Sequence, residues 1–117
     1  NEMSKIQHVT SDRFEQDVIG SSRPVLVDFY TTWCGPCRLL TPVLEGLAEE
    51  YEGRVDVLKV DVYQEALVAS RYGVASVPTV LLFDGGQVVQ TFVGLQKPEV
   101  FRSAVEGVTS TVTEGSQ

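Results

Sequence analysis

The chain has 117 residues, 43% of them hydrophobic, and its nine basic and sixteen acidic residues give a net charge of −7. This length and apolar content are enough for one domain with a hydrophobic core. The negative charge argues against nucleic acid or an anionic membrane surface as a partner, and no apolar run approaches the ~18 residues that cross a membrane.

A short strand is predicted at residues 6–9, and a helix follows it. Thr10 or Ser11 is the candidate N-cap of this helix, because short polar side chains accept hydrogen bonds from free N–H groups. Phe14 and Val18 are expected to face the interior.

A buried strand and a long helix come next, separated by a short connection. Val25–Tyr30 is an apolar run typical of a strand buried on both faces, and Thr31 and Thr32 follow it as the connection. Apolar residues then recur at helical spacing as far as about Tyr51. Pro42 lies inside this predicted helix and is expected to kink it.

The connection ends in Trp33-Cys34-Gly35-Pro36-Cys37, which contains the only tryptophan and both cysteines of the chain. Two thiols three positions apart at the start of a helix lie within about 5–6 Å of each other, a separation that suits a disulfide. The bridge would close too short a loop to stabilise the chain much, which indicates a bridge that opens and closes. The motif therefore predicts a thiol–disulfide oxidoreductase.

The position of the motif predicts different roles for the two cysteines. Cys34 falls at the helix N-terminus, where free N–H groups and the helix dipole lower the pKa of a thiol below ~8.5. Pro36 suits the first helical turn, because its missing N–H has no partner to lose there. Cys37 lies one turn further in and is expected to be more buried. We therefore expect Cys34 to attack and Cys37 to resolve.

A metal site, a structural bridge and a pair of core thiols each fit the two cysteines less well. A zinc site needs about four ligands, whereas the chain offers two thiols and one histidine, His8, far away in sequence. A purely structural disulfide would close a very short loop. A pair of inert core cysteines fits poorly beside Trp33 and a Gly-Pro insert. No metal is therefore expected, and His8 is interpreted as an ordinary strand residue.

Asp28 is the second candidate functional residue, because it lies inside the apolar strand. Burying an ionised carboxylate is costly, so desolvation is expected to raise the pKa of Asp28 toward the working pH of an acid–base catalyst. The alternative is a purely structural Asp that is bonded to the backbone.

The second half of the chain predicts another strand, a helix and a hairpin. The strand is expected at Val55–Asp61 and the helix around Gln64–Tyr72. Thr79–Asp84 and Gln87–Val93 flank Gly85-Gly86, a two-residue hairpin signal.

The order of these elements, βαβαβαββα, predicts parallel pairing early and an antiparallel hairpin late. We therefore expect an α/β fold in which one mixed five-stranded sheet is covered by helices on both faces. A last helix at about Pro98–Val108 would be followed by a polar, frayed tail, residues 109–117. Residues 1–117 are expected to form a single domain and a monomer.

The start of the chain allows two interpretations. Met3-Ser4-Lys5 is a plausible native start, with Asn1-Glu2 as a remnant of processing, or else the chain was excised from something longer. No basic-then-apolar signal segment opens it. Together with two cysteines at redox-motif spacing, this favours the reducing cytoplasm over a disulfide-stapled secreted protein.

The motif and its surroundings resemble the thioredoxin family. The Trp33–Cys37 motif after the Val27-Asp28-Phe29 strand is similar to the family's active-site segment. Further similar segments occur in the family's order at Lys59-Val60-Asp61, Tyr72-Gly73-Val74, Ser76-Val77-Pro78-Thr79, Phe83-Asp84-Gly85-Gly86 and Phe92-Val93-Gly94. The resemblance covers roughly residues 4–108 and implies the thioredoxin fold.

The resemblance also implies roles for residues outside the motif. Asp28 would exchange protons with Cys37, and Lys59 would lie close to Asp28 and moderate its pKa. A solvated lysine facing the sheet edge is the alternative for Lys59. The Val77–Pro78 bond would be cis, with the loop facing the cysteines and Val77 offering backbone groups to a substrate strand.

Trp33 and Gly94 would complete a shallow apolar docking surface. The implied function is general reduction of protein disulfides, with re-reduction by thioredoxin reductase, an NADPH-dependent flavoprotein. The chain itself contains no cofactor-binding motif, and no cofactor is expected in it. The alternatives are an oxidant or isomerase of an oxidising compartment, and a thioredoxin-like binding module that supports a partner irrespective of redox state. The Gly35-Pro36 insert resembles that of reductants.

Two positions near the motif depart from the commonest family pattern. Tyr30 stands where many members have a second tryptophan, and Arg38 replaces a frequent lysine after Cys37 while keeping its charge. Neither departure removes a catalytic group.

Overall fold

The elements of the fold follow the predicted order in the computed structural model, which describes residues 6–115, with side chains as far as Thr109. In chain order they are β1 (Gln7–His8), α1 (Ser11–Phe14, continued by a π-helical turn at Glu15–Ile19), β2 (Val25–Tyr30), α2 (Gly35–Glu50), β3 (Asp56–Asp61), α3 (Ala66–Arg71), β4 (Thr79–Asp84), β5 (Gln87–Val93) and α4 (Pro98–Gly115). The interpretations of Met3-Ser4-Lys5 and Asn1-Glu2 concern positions outside the described residues.

The five strands form one mixed sheet in the order β1-β3-β2-β4-β5. β1, β3 and β2 are parallel, and β4 pairs antiparallel with both β2 and β5. Gly85 and Gly86 make the turn between β4 and β5 with φ angles of 63° and 82°, a left-handed conformation that glycine adopts without steric cost. The predicted α/β architecture and its late hairpin are confirmed.

Alternate residues of the central strand β2 pack on different helices, because successive side chains of a strand point to opposite faces. Val25, Val27 and Phe29 belong to a core cluster with buried residues of α1 and α3. Leu26 belongs to a second cluster, together with buried residues of α2 and α4. Each fully buried Leu or Phe side chain contributes about 1.5–3 kcal/mol to this packing. The predicted helices on both faces are therefore confirmed.

Helix α2 begins in the motif, and the inner face of the helix packs against the sheet. Leu40, Leu44 and Leu47 are buried at helical spacing. Pro42 lies inside α2, which continues through it, and the missing N–H of Pro42 leaves the carbonyl of Arg38 without its usual helical donor. The first turn of α2 lies at the carboxyl end of β2, the edge of an α/β sheet at which sites are commonly built.

Two helices differ from the sequence prediction. The first was predicted only as a helix, and it widens into a π-helical turn, in which the N–H of Gly20 donates to the carbonyl of Glu15 at 2.8 Å. The last helix continues to Gly115 through residues that were expected to fray. At the point where fraying was expected, the hydroxyl of Thr109 donates to the carbonyl of Val105 at 3.0 Å, a bond that is compatible with a continuing helix. Among the described residues, no helix is both long and apolar enough to span a membrane.

Candidate active site

The two cysteines lie where strand β2 gives way to helix α2. Cys34 is the N-cap residue of α2 in an extended conformation, and Pro36 occupies the first turn. The backbone N–H of Cys37 donates to Sγ of Cys34 at 3.1 Å. The sulfur of Cys34 therefore lies at the N-terminus of this 16-residue helix and accepts one of its free N–H groups, an arrangement that favours the thiolate when the pair is reduced.

Cys34 and Cys37 form a disulfide across a Cα–Cα distance of 5.2 Å. Their exposures differ, since Cys34 is half-buried whereas Cys37 is only 4% exposed. The predicted difference in burial is confirmed. Gly35 and Pro36 are exposed, and a Cβ added at Gly35 would meet no atom within 4 Å, so Gly35 is not required by packing within this chain.

The loop before β4 faces the cysteine pair. The Val77–Pro78 peptide bond is cis, as the resemblance implied. The carbonyl oxygen of Val77 lies 3.9 Å from Sγ of Cys34. Gly94 is tied to the same loop, because its N–H donates to the carbonyl of Pro78 at 2.8 Å. Thus Cys34, Val77, Pro78 and Gly94 lie side by side, although they come from distant parts of the sequence.

Trp33 borders the disulfide as a projecting side chain, with 80% of its surface exposed. Its indole packs edge-to-face against the ring of Tyr63, with centroids 5.8 Å apart. Tyr63 is itself 70% exposed, so it extends the apolar surface beside the cysteines. Tyr63 was not among the predicted site residues. A signal was available, since Tyr63 follows β3 and the carboxyl ends of parallel strands meet at one edge of the sheet.

Asp28 lies below this surface and is 1% exposed. In the sheet it pairs with Lys59 of β3 and Val80 of β4. Burial raises the pKa of Asp28 to about 7, and the positive charge of Lys59 opposes part of this rise. Its Oδ1 atom has no hydrogen-bond partner among the described residues, so Asp28 differs from a carboxylate that is held structurally by backbone donors.

A small cleft of about 170 Å³ joins Asp28 to Cys37. It is lined by Asp28, Tyr30, Thr31, Thr32, Cys37, Arg38, Thr41 and Lys59. The predicted acid–base residue and the predicted resolving thiol therefore share one space, although they are nine positions apart in sequence. The guanidinium of Arg38 is held at the cleft by donating to the carbonyl of Thr32 at 3.2 Å.

Lys59 is half-buried and lines the same cleft, unlike the solvated edge lysine of the alternative interpretation. Its Nζ lies 4.5 Å from the ring centroid of Tyr30. The hydroxyl of Tyr30 in turn shares a hydrogen bond of 3.2 Å with Nδ1 of His8. His8 was interpreted as an ordinary strand residue, and this contact to the site lining was not predicted.

Among the described residues, no group of three or more His, Cys, Asp and Glu side chains could hold a metal ion. The chemical groups of the site are thus a disulfide, a buried carboxylate with raised pKa, an ammonium and an exposed apolar rim. The disulfide can take up two electrons and two protons, the carboxylate can exchange a proton, and the rim can bind an apolar partner surface.

The comparisons with known proteins agree with this chemistry. The family model described as Thioredoxin matches residues 5–107. Thioredoxin 1 of Nostoc sp. is 48% identical over 92 residues, which cover 79% of this chain and 86% of the relative. Thioredoxin of Synechocystis sp. is 41% identical over 104 residues, covering 89% and 97%. Thioredoxin of Streptomyces clavuligerus is 46% identical over 89 residues, covering 76% and 82%.

The family match spans almost all of the chain that carries the fold, from β1 to α4, and it includes both cysteines and the cis-proline loop. The chain therefore belongs to the thioredoxin family, and its Cys34–Cys37 pair makes it a thiol–disulfide oxidoreductase that reduces protein disulfides.

Proposed function

We propose that Cys34 is the nucleophile and Cys37 the resolving thiol of this reaction. The observation that carries the assignment is their difference in exposure, since Cys37 is 4% exposed while Cys34 is half-buried at the mouth of the site. A partner disulfide reaches Cys34 first. The N–H of Cys37 supports the assignment as well, because a donor 3.1 Å from Sγ of Cys34 stabilises a thiolate there.

In the first step the Cys34 thiolate attacks one sulfur of the substrate disulfide. The substrate S–S bond breaks, its other sulfur leaves as a thiolate, and a mixed disulfide forms. In the second step the Cys37 thiolate attacks Sγ of Cys34. The mixed disulfide breaks, the second substrate sulfur leaves, and the Cys34–Cys37 bond forms. The substrate gains two electrons and two protons, and the enzyme dithiol is oxidised.

Asp28 accepts the proton of Cys37 before the second step. Its raised pKa of about 7 supports this role, because a base that titrates near neutral pH is present in both forms at the working pH. The shared cleft supports it too, since Asp28 and Cys37 line the same 170 Å³ space. Lys59, at the same cleft, favours the ionised carboxylate.

The substrate segment docks in extended form across Trp33, Val77, Pro78 and Gly94. The backbone of Val77 pairs with this segment, and the indole of Trp33 covers its apolar side chains. Support comes from the carbonyl of Val77, which lies 3.9 Å from the attacking sulfur, and from the 80% exposure of Trp33.

As membership of the thioredoxin family implies, the oxidised pair is re-reduced by an NADPH-dependent flavoprotein, thioredoxin reductase. The substrates are disulfide-containing proteins in general. We place the protein in the cytoplasm, since a pair of cysteines at redox spacing suits a reducing compartment. We expect it to act there as a monomer.

Trapping experiments on single-cysteine variants test the roles. Cys37→Ser should accumulate a stable mixed disulfide with insulin, because nothing resolves the intermediate. The matched variant Cys34→Ser should accumulate at least tenfold less at neutral pH, since its remaining thiol is buried and lies behind the first turn. Equal trapping by the two variants, or faster trapping by Cys34→Ser, would overturn the assignment.

A further inference from the structure

A row of side chains on three neighbouring strands includes three that line the Asp28 cleft. His8 of β1, Lys59 of β3 and Asp28 of β2 are paired laterally across the sheet, so their side chains point to the same face. Tyr30 lies two residues beyond Asp28 and shares this face as well. The sheet order β1-β3-β2 places Lys59 between the histidine and the aspartate.

Tyr30 touches the other two residues of this row, Lys59 and His8. The Nζ atom of Lys59 lies 4.5 Å from the centroid of the Tyr30 ring, within the range of a cation–π contact. At its other end, the phenol hydroxyl and Nδ1 of His8 are joined by a hydrogen bond of 3.2 Å, and the two rings meet edge-to-face. The hydroxyl of Tyr30 is thus bonded to His8, while its ring contacts the ammonium of Lys59.

The contact decides where the ammonium of Lys59 lies. A lysine head on a flexible four-carbon stem normally extends into water, where its charge has little influence on a buried group. The ring of Tyr30 offers it a position at the wall of the cleft that Asp28 and Cys37 share. Because this position is only partly solvated, the charge acts more strongly on Asp28 than it would in bulk water.

The other charged groups nearby are already engaged. Asp61, which pairs with Tyr30 across the sheet, accepts hydrogen bonds from the N–H groups of Tyr63 and Gln64 at 2.9 and 3.3 Å. Arg38, on the cleft wall, donates to the carbonyl of Thr32. The pKa of His8 is lowered by partial burial and by the charge of Lys59, so the imidazole that shares the hydrogen bond with Tyr30 is neutral at neutral pH.

We propose that Tyr30 is a positioning residue of the disulfide reductase reaction: its ring, steadied by His8, holds the ammonium of Lys59 at the cleft between Asp28 and Cys37. This inference rests on the proposed role of Asp28 as the proton acceptor of Cys37. With the ammonium in place, more Asp28 is ionised at neutral pH, and the second step of the reaction proceeds at a lower pH.

The test is a carboxyl-carbon NMR titration of Asp28 in the full, oxidised chain. Tyr30→Leu removes the ring, and its Asp28 inflection should move to higher pH by about half a unit or more, the scale of a modest cation–π contact. Tyr30→Phe keeps the ring, so its inflection should stay within about half of that displacement. Lys59→Gln should also raise the inflection, and adding Tyr30→Leu to it should raise it no further.

The matched control is Arg54→Gln. It removes a cation–π contact of similar geometry, 4.8 Å over Tyr51, which is not on the cleft. It should leave the Asp28 inflection unchanged. An unchanged inflection in Tyr30→Leu would overturn the proposal. An equal displacement with and without Lys59 would also overturn it, because Tyr30 would then act by packing alone.

A second measurement separates this proposal from the function on which it rests. The pre-steady-state rate of the resolving step with excess insulin should follow the Asp28 inflection, so Tyr30→Leu should slow it about two- to threefold near pH 7 and little above pH 9. If the NMR inflection moves as expected while this rate profile does not, the positioning by Tyr30 stands and the proton-accepting role of Asp28 fails.

Discussion

The two faces of strand β2 differ in their chemistry, although most residues on both faces are buried. Toward α1 and α3, Val25, Val27 and Phe29 are all fully buried and apolar. Toward α2 and α4, the strand passes from buried Leu26 to buried Asp28 and then to half-buried Tyr30. One face therefore only stabilises the fold, whereas the other gives up some stability so that a carboxylate can titrate near neutral pH. The difference shows how a β-strand can build an active site without weakening the whole core.

Phe29→Ala probes the purely stabilising face and should have the largest effect on stability. Phe29 is 0% exposed, and replacing a buried Phe by Ala leaves a cavity that costs about 3–5 kcal/mol of the free energy of unfolding. Denaturant unfolding of the oxidised protein measures this loss. Leu39→Ala is the control, because Leu39 on α2 is 63% exposed and its truncation should cost less than about 0.5 kcal/mol. A loss below about 1 kcal/mol at Phe29 would contradict this description of the face.

Asp28→Asn probes the other face and should stabilise the fold. The pKa of Asp28 is raised from ~3.9 in the unfolded chain to about 7 in the folded one. The unfolded chain therefore loses its proton first as pH rises, and the carboxylate destabilises the fold increasingly between these two values and constantly above them. The gain from Asn should be near zero at pH 4 and about 2–4 kcal/mol at pH 8, since a tenfold change in proton affinity corresponds to about 1.4 kcal/mol.

The same variant should resolve its mixed disulfide more slowly, because Cys37 has lost its proton acceptor. Denaturant unfolding at pH 4 and pH 8, paired with insulin reduction rates, measures both effects. A gain that is the same at the two pH values, or a fully active variant, would show that Asp28 is structural only.

Trp33 extends the comparison from buried to exposed residues. It is 80% exposed beside the disulfide, so it contributes little to the core, but it reports on the redox pair. A disulfide quenches a nearby indole on contact, so emission should rise when dithiothreitol reduces the pair. The double variant Cys34→Ser with Cys37→Ser is the control and should not respond. Unchanged emission after verified reduction would place the indole away from the sulfurs.

Local patterns were enough to predict the strands, the motif helix and the hairpin. The apolar run at Val25–Tyr30, the Gly85-Gly86 pair and the position of Cys34 at a helix N-terminus are features of adjacent residues, and each was confirmed. The cis bond before Pro78 came from the resemblance alone, because local sequence gives only a low prior for cis, about 5–6%.

The contacts that the sequence did not predict are non-local. β1 contains two residues, Gln7–His8, and nothing in so short a strand indicates that it pairs with β3 and brings His8 to Tyr30. The Trp33–Tyr63 contact likewise depends on how the carboxyl ends of two parallel strands meet. Long-range pairing of this kind is set by packing of the whole domain, so residue patterns alone do not specify it.

Gly46→Ala should produce the smallest change, and it separates the stability of α2 from the chemistry at its N-terminus. Gly46 lies exposed in the interior of α2, and a Cβ added there would meet no atom within 4 Å. Since alanine restricts the unfolded chain more than glycine does, we expect a gain of about 0.5–1 kcal/mol with unchanged insulin reduction. Gly86→Ala is the opposite control, because Gly86 has a φ of 82° and its added Cβ would lie 2.9 Å from the carbonyl of Ile19. That variant should lose stability in the same denaturant unfolding measurement. A loss at Gly46, or a change in reduction rate without one in stability, would mean that the outer face of α2 is coupled to the cysteine pair.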